Sequence, residues 1–399
     1  MKRVSVLTIV LLTLLLAAAR ASAQGQSSGN AFNPAFSLIL NGGYTNYSLD
    51  PGSYSISGFA LGEEAGLRAQ GLSADESEMA LSANVDDKFY AFSTIAFDQN
   101  QGETGVSLEE AYFETLALPG GLKVKAGRFL SDIGYLNPIH SHAWDFADAP
   151  LAYTAMLGSS FGDSGVQVSW IAPVGLYLEL GAELMRGDSF PAAGADQSGG
   201  QGAETFFAHV GGDVGASNSW RAGVSWLSAK AHGRESAFED GVLGFDGDSD
   251  LMIADFVWKW AKNGNPRDRN FIAQAEFLSR SENGALSFED LLGNTEQGAY
   301  YGDQDGWYVQ GVYQFRPRWR VGLRYDGLSS SNVVTGITST LPLDSTRDPS
   351  RVSAMVDFSN SEFSRFRVQW NRDESRPESD DQFYLQYIMS LGAHGAHRF

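Results

Sequence analysis

Four of the six histidines in the chain form two closely spaced pairs, His140 with His142 and His394 with His397. Imidazole nitrogens and carboxylate oxygens are usual protein ligands of zinc, and Asp145 and Asp148 follow the first pair. Neither pair supplies three secure ligands, so a stable structural zinc site is not predicted. Transient capture of zinc fits the spacing. The interpretation we favour is that the first pair is hydrogen-bonded within a loop and the second belongs to a solvated tail.

Charged residues at alternating positions indicate a second kind of chemistry, in which solutes are selected by charge. The acidic positions are Glu110, Glu114, Glu179 and Glu183, and the basic positions, here called the arginine patch, are Arg320, Arg324, Arg351, Arg365 and Arg367. Residues two apart in an extended strand lie on the same face. If these segments wall a pore, opposed acidic and basic rows select small polar solutes. The alternative is that the same charges pair with their neighbours and fill the interior.

The segment Asp381–Leu391 has the alternation of apolar and polar residues that is expected of a strand in the wall of a pore. Its aromatic and aliphatic side chains alternate with mostly polar ones, and the chain ends in Phe399. In a transmembrane β-barrel, such a strand turns its apolar face to lipid and its polar face to a wet lumen. The terminal Phe resembles the C-terminal assembly signal of bacterial outer-membrane barrels. A large soluble β-sandwich with an apolar core is the alternative fold.

Similar alternating segments recur along the chain and predict a barrel of about 16 strands. The segments are Ala35–Tyr47, Glu76–Val85, Phe89–Asp98, Val106–Leu116, Leu122–Leu130, Gly165–Ile171, Leu176–Met185, Glu204–Gly212, Ser219–Leu227, Asp250–Trp260, Phe271–Arg280, Gly306–Phe315, Arg318–Asp326, Arg351–Phe358, Glu362–Asn371 and Asp381–Leu391. Connections after even-numbered segments are short, and most of the others are long. Short periplasmic turns and longer external loops are typical of outer-membrane barrels. The predicted fold class is therefore all-β, a transmembrane antiparallel β-barrel formed by residues 35–399.

The first residues have the composition of an export signal. Lys2 and Arg3 precede an apolar run, Val4–Ala19, and residues 21–23 are Ala-Ser-Ala, a small-residue cleavage site. We therefore expect residues 1–23 to be a signal peptide and residues 24–34 to be a short periplasmic segment. The expected location is the outer membrane of a Gram-negative bacterium. The chain has no cysteine, so it has no disulfide framework.

The charge and the apolar pattern exclude two classes of protein. Beyond the leader, no stretch of roughly 18 consecutive apolar residues is present, so a helical membrane protein is not predicted. The formal net charge is −20 at pH 7, whereas nucleic-acid binding needs a surplus of Lys and Arg. The predicted partners are outer-membrane lipid and small hydrophilic solutes, and no resident cofactor is predicted.

The connection Ser131–Asp163 is predicted to be an inward-folded constriction loop. It is long and rich in aromatic residues, among them Tyr135 and Trp144. Exposed rings on an external loop would leave an apolar patch in water, whereas the inner wall of a barrel gives them a surface to pack on. We expect this loop to set the narrowest point of the pore, with Asp145 and Asp148 opposite the arginine patch.

Part of the sequence resembles a known family of porins. The segment VSLEEAYFETLALPGGLKVKAGRFLSDIGYLN, Val106–Asn137, together with the preceding residues 78–98, is similar to the early strands of phosphate-selective porins of the O/P type. The resemblance implies a sixteen-stranded barrel and a homotrimer, and it does not fix phosphate as the solute. More narrowly, HAWDF at His142–Phe146 and LGAHGAHRF at Leu391–Phe399 look like a group of zinc-regulated outer-membrane proteins.

Three classes of function follow from these features. The first is a porin that lets small hydrophilic solutes or ions diffuse passively, with selectivity set by the loop and the charged wall. The second is a TonB-dependent-type receptor or a zinc-linked metal uptake protein, although such receptors have about 22 strands around a plug, for which the segment before the first strand is too short. The third is a barrel enzyme, but we predict neither a GxSxG nucleophile elbow between a strand and a helix nor an HExxH helix. We therefore predict a porin without enzymatic activity.

Overall fold

The computed structural model describes residues 34–392 except 64, 75, 101–102 and 344–346. The expected signal peptide, nearly all of the expected periplasmic segment and the second histidine pair, His394 with His397, lie outside the described residues.

Sixteen antiparallel strands close into a barrel, which confirms the predicted fold class. The strands are β1 Ala35–Tyr47, β2 Ser77–Asn84, β3 Phe89–Asn100, β4 Glu103–Thr115, β5 Leu122–Leu130, β6 Gly162–Ile171, β7 Tyr177–Met185, β8 Ala203–Val214, β9 Asn218–Phe238, β10 Gly241–Ala261, β11 Asn270–Asp290, β12 Thr295–Arg316, β13 Trp319–Thr335, β14 Ser350–Ser361, β15 Ser364–Asp373 and β16 Asp380–Gly392. Each strand pairs with the next, and β1 pairs with β16 through Leu38 opposite Leu391. A further short strand, Gly71–Ser73, pairs with β1 beside this ring.

The strand alternation separates an apolar outer face from a polar inner face. Val224, Met252 and Leu323 point outward, with 57%, 61% and 66% of their surfaces exposed. Their neighbours Ser225 and Arg324 point inward and are buried. A soluble sandwich would bury its apolar face, so this exposure is the pattern of a barrel wall that faces lipid.

Four strands are much longer than the sequence pattern predicts. β9, β10 and β11 contain 21 residues each and β12 contains 22. A strand crosses the bilayer in roughly 9–11 residues, so the additional halves extend beyond it on the side opposite the short turns. The apolar alternation stops there because the outer face no longer meets lipid. The backbone pairing continues, as between Ser249 and Glu282.

The connection between β5 and β6, residues 131–161, is called the β5–β6 loop. It contains α1, Leu151–Leu157, the only α-helix in the part of the chain that the structure describes. All seven residues of α1 are buried. All of them except Thr154 form one apolar cluster with inward-facing wall residues such as Leu227, Leu278 and Tyr308. Among the described residues, no helix is long and apolar enough to cross a membrane.

Closure of the ring can be tested by an engineered disulfide, because the natural chain has no cysteine. Leu40 on β1 lies directly opposite Met389 on β16. Directly opposed residues are about 4.5–5.5 Å apart, which suits a disulfide. We expect Leu40→Cys with Met389→Cys to form an intramolecular cross-link that changes mobility on a non-reducing gel. The control, Leu40→Cys with Leu385→Cys, is offset by about 13 Å and should stay reduced. Equal cross-linking of both pairs would contradict the register.

Candidate functional site

The start of the β5–β6 loop is bound by Glu183 on β7, one of the predicted pore-lining acids. Its carboxylate accepts the backbone N–H of Asp132 at 3.1 Å and the hydroxyl of Ser131. Side chains of Gln167 and Thr205 donate to the same carboxylate at 2.7 and 2.6 Å. Glu183 is 4% exposed, so it lies within the loop–wall contact and has little surface to offer a solute.

A second buried acid, Glu276 on β11, binds the next part of the loop. It accepts the backbone N–H groups of Tyr135 and Leu136 at 3.0 and 3.1 Å. The hydroxyls of Tyr153 and Tyr308 also donate to it, at 2.9 and 2.5 Å. Glu276 is not among the residues predicted from the sequence, although this acid stands at an inward position of a largely apolar strand segment.

Asp148 in the loop binds four side chains of β13, β14 and β15. Its carboxylate lies 2.7 Å from the guanidinium of Arg324 and 3.1 Å from that of Arg351. The amides of Gln369 and Asn371 donate to it at 2.7 and 2.8 Å. Burial alone would raise the pKa of the Asp148 carboxyl, but Arg324 and Arg351 hold that pKa well below its usual range. The loop therefore keeps a negative charge at this point across the physiological pH range.

The other members of the arginine patch also contact the loop. Arg320 lies between Asp145 of the loop, at 2.7 Å, and Asp357 of β14, to which it donates through three nitrogen atoms. Arg365 donates to the backbone carbonyl of His142 at 2.6 Å, and Arg367 donates to that of Trp144. Every arginine of the patch thus contacts the loop, and all but Arg320 are buried.

The first histidine pair contacts glutamates of the wall. His140 Nε2 lies 2.8 Å from a carboxylate oxygen of Glu110, and its Nδ1 lies 3.3 Å from Glu78 and 3.4 Å from Glu109. His142 Nδ1 lies 2.7 Å from the other oxygen of Glu78. The sequence spacing associated this pair with Asp145 and Asp148. Those aspartates instead bind arginines, because the loop turns its two acidic residues toward the opposite wall.

The electrostatic environment of His140 favours its charged form. Burial lowers the pKa of the imidazole, but contacts with Glu109 and Glu110 outweigh that effect and raise the pKa well above its usual value. The imidazole rings of His140 and His142 are stacked, with their centroids 5.8 Å apart. The pair therefore forms one compact group between β2 and β4.

The two remaining predicted acids pair with residues of the wall. Glu114 on β4 lies 3.4 Å from the ammonium group of Lys123 on β5. Glu179 on β7 accepts the hydroxyl of Tyr177 and lies 3.5 Å from His209 Nδ1. Of the predicted acidic row, Glu110 and Glu183 thus bind the loop, whereas Glu114 and Glu179 have partners on their own or neighbouring strands.

A cavity of about 1240 Å³ borders the loop. The acidic residues that line it are Glu63, Glu76, Glu109, Asp148, Asp188 and Glu235, and the arginines are Arg68, Arg128, Arg234 and Arg351. His140 and Ser141 of the loop also line it. Six carboxylates lie against four guanidinium groups and the imidazole of His140, whose surroundings favour the charged form, so the lining has a small excess of negative charge.

A comparison of sequences identifies a relative of this chain. No protein-family model matches the sequence. An uncharacterized protein of Aquifex aeolicus (strain VF5) is 30% identical over 347 residues, which are 83% of this chain and 70% of that protein. The chain belongs to the same family as this protein. The alignment covers the greater part of both sequences.

Solved structures of bacterial outer-membrane proteins have the same fold. A loop L8 deletion mutant of OmpT, an outer membrane protein of Vibrio cholerae, aligns with 91% of this chain and 100% of its own, with a TM-score of 0.55 and 12% identity. The outer membrane channel DcaP of Acinetobacter baumannii aligns with 92% of this chain and 99% of its own, with a TM-score of 0.53 and 13% identity. Likeness at this identity establishes a shared barrel fold.

Asp148→Asn should destabilise the folded barrel, because Arg324 and Arg351 would keep buried charges with less compensation. Breaking a buried ion pair typically costs about 3–5 kcal/mol. The measurement is the free energy of unfolding in detergent. The stabilisation should be constant above the ordinary pKa of an aspartate, about 3.9, and should be lost progressively as the pH falls from there through the lowered pKa of Asp148.

Asp188→Asn is the matched control for this substitution. Asp188 pairs with Arg186 at the surface, where both side chains are about half exposed. Exposed pairs contribute at most about 1 kcal/mol. Equal losses of stability in the two variants would contradict a central role for Asp148.

Proposed function

We propose that this protein is a porin of the bacterial outer membrane. It lets small hydrophilic solutes or ions diffuse passively, and the β5–β6 loop sets the narrowest section of its pore. The main support for this proposal is that the loop's binding partners are distributed around the ring of strands.

One loop binds residues in every quarter of the barrel. Its partners include Glu78 on β2, Glu183 on β7, Glu276 on β11 and Arg351 on β14. These strands are three to five positions apart in the ring. Short, simultaneous contacts with such widely separated strands support a loop that crosses the lumen and divides it. A loop folded over the outside of the barrel could not reach these inward-facing side chains together.

The charges favour cations or neutral polar solutes over anions. Three arginines of the patch, Arg320, Arg324 and Arg351, pair with five aspartates, so the patch of five arginines lies beside equally many carboxylates. The aspartates are Asp145, Asp148, Asp326, Asp357 and Asp373. The arginine wall is therefore close to neutral as a whole, whereas the cavity lining is acidic on balance. This arrangement gives no support to phosphate as the solute.

The resemblance to porins of the O/P type remains part of the proposal. The sixteen-stranded barrel supports it at the level of architecture. The resemblance also implies a homotrimer, which chemical cross-linking of the purified protein in detergent would test. The narrower resemblance to zinc-regulated outer-membrane proteins is likewise a proposal.

Two other function classes have less support. A TonB-dependent receptor has about 22 strands around its plug, and this ring has sixteen. An esterase-type nucleophile elbow runs from strand through GxSxG to helix. Two runs of that form occur in the sequence. Gly158–Gly162 follows α1 and precedes β6, which is the reverse order, and Gly25–Gly29 lies outside the described residues. We therefore propose a channel without enzymatic activity.

Deleting residues 139–149 should widen the pore, since this segment contains the loop's contacts with β13, β14 and β15. We expect a higher single-channel conductance in planar bilayers and weaker charge selectivity. The control is deletion of residues 291–293, in the exposed turn between β11 and β12. An unchanged conductance after the loop deletion, with the barrel still folded, would reject the loop as the constriction.

Asp145→Asn combined with Asp148→Asn should shift selectivity toward anions. The double variant leaves the arginine patch with two fewer carboxylates, so the wall gains net positive charge. The measurement is the reversal potential in a salt gradient. Asp250→Asn combined with Asp303→Asn removes the same charge from the exposed outer surface and should leave the reversal potential unchanged. A shift of equal size in both double variants would show that the effect is not local to the pore.

A further inference from the structure

Glu78, His140 and His142 have the spacing of a metal site, and Glu109 lies beside His140. Ligand atoms of Glu78, His140 and His142 all lie within 4.8 Å of one another. His140 Nδ1 is 3.3 Å from a Glu78 oxygen and 3.4 Å from a Glu109 oxygen. With metal–ligand bonds of 2.0–2.1 Å, neighbouring ligands of a tetrahedral zinc ion are about 3.3–3.4 Å apart. His140 Nδ1 therefore has the required spacing from Glu78 and Glu109. His142 Nδ1 lies 2.7 Å from Glu78 and would separate from it slightly when both bind one ion.

Glu110 holds His140 in the orientation that metal binding needs. A histidine that binds a metal through one ring nitrogen usually donates its other N–H to a carboxylate, which fixes the tautomer and the ring. Glu110 lies 2.8 Å from Nε2 of His140, so Nδ1 is the nitrogen that faces Glu78 and Glu109. The backbone N–H of Leu130 also donates to Glu110, at 3.0 Å, and fixes the carboxylate in turn.

One ligand atom of the group has no hydrogen-bond partner. Oε2 of Glu109 is buried and accepts no hydrogen bond from the residues that the structure describes. Only the imidazole of His140 is shown to compensate the charge on this oxygen, and a coordinated cation would replace the imidazole proton in that role. This oxygen is the one that lies 3.4 Å from His140 Nδ1.

The group can be reached from the cavity beside the loop. His140 and Glu109 both line that cavity, and their side chains are 16% and 22% exposed. Glu78 and His142 lie behind them, at 2% and 3%. A cation in the cavity would thus meet the two more exposed ligands first and the two buried ones next.

We propose that Glu78, His140 and His142, completed by Glu109, bind one divalent transition-metal cation of the zinc class. Two imidazoles with two carboxylates suit zinc, whereas calcium and magnesium prefer oxygen ligands alone. The bound ion would join the β5–β6 loop to β2 and β4. The site depends on the contact between loop and wall and is independent of whether the barrel conducts solutes.

The test is equilibrium dialysis of the purified, metal-stripped full chain against Zn²⁺ in the presence of excess Ca²⁺ and Mg²⁺. We expect one tightly bound Zn²⁺ per chain, and with Co²⁺ as the probe we expect the strong visible absorption of a tetrahedral site. His140→Ala and His142→Ala should each weaken Zn²⁺ binding on the order of 10- to 100-fold or more. Bound Zn²⁺ should also raise the melting temperature of the natural chain, because it binds only the folded state.

Two histidine controls separate this site from other sources of binding. His209→Ala removes a histidine that lies beside a single glutamate, Glu179, and should leave Zn²⁺ binding intact. His394→Ala with His397→Ala removes the second sequence pair and should do the same. If the alanine variants at His140 and His142 fail to fold, Glu109→Gln tests the same site with a near-isosteric change and should also weaken binding.

Three results would overturn the proposal. The first is Zn²⁺ affinity that survives in folded variants of His140, His142 and Glu109. The second is binding that is lost only when His394 and His397 are replaced. The third is displacement of the metal by equimolar Ca²⁺, which would indicate an oxygen site built from glutamates alone. Conductance is measured separately, so failure of the porin proposal would leave these results interpretable.

Discussion

The buried carboxylate of Asp148 is the contact on which the interior of this barrel depends. Transferring a charge out of water costs several kcal/mol unless it is paired and hydrogen-bonded, and Asp148 has both kinds of partner in Arg324, Arg351, Gln369 and Asn371. The requirement is mutual, because an arginine cannot lose its proton inside a protein. The aspartates of the loop compensate the charge of the wall arginines, and the arginines compensate the charge of the aspartates.

The wall also satisfies the irregular backbone of the loop. Backbone N–H groups buried away from water need acceptors, and a loop cannot provide them internally as a helix or a sheet does. Glu183 and Glu276 supply those acceptors, since each carboxylate receives at least one loop N–H. The apolar side of the loop is held differently, by packing of α1 against Leu227, Leu278 and Tyr308. Ion pairs, hydrogen bonds and apolar packing thus hold different parts of the β5–β6 loop against the wall.

These contacts between the loop and the wall determine which charged side chains are left to bind a solute or a metal. The arginine patch, the most conspicuous charged feature of the sequence, is occupied by Asp145, Asp148 and loop carbonyl groups. Glu109 and His140, near β2 and β4, border the cavity together with Asp148 and Arg351. The proposed metal site therefore lies near β2 and β4, although the arginine patch is the more conspicuous feature of the sequence.

The sequence by itself determined the strands and their faces, because an alternation of period two is a local property that each strand carries independently. The sequence did not predict the outer halves of β9–β12, because no lipid imposes an apolar alternation there. It also could not determine which charged side chains contact one another. His140 contacts Glu110, 30 residues away, and the carbonyl of His142 contacts Arg365, 223 residues away. Such pairs depend on closure of the ring and on the path of the loop. The sequence predicted that Asp145 and Asp148 lie opposite the arginine patch, but only the tertiary structure could assign each aspartate to its arginine and the histidines to glutamates.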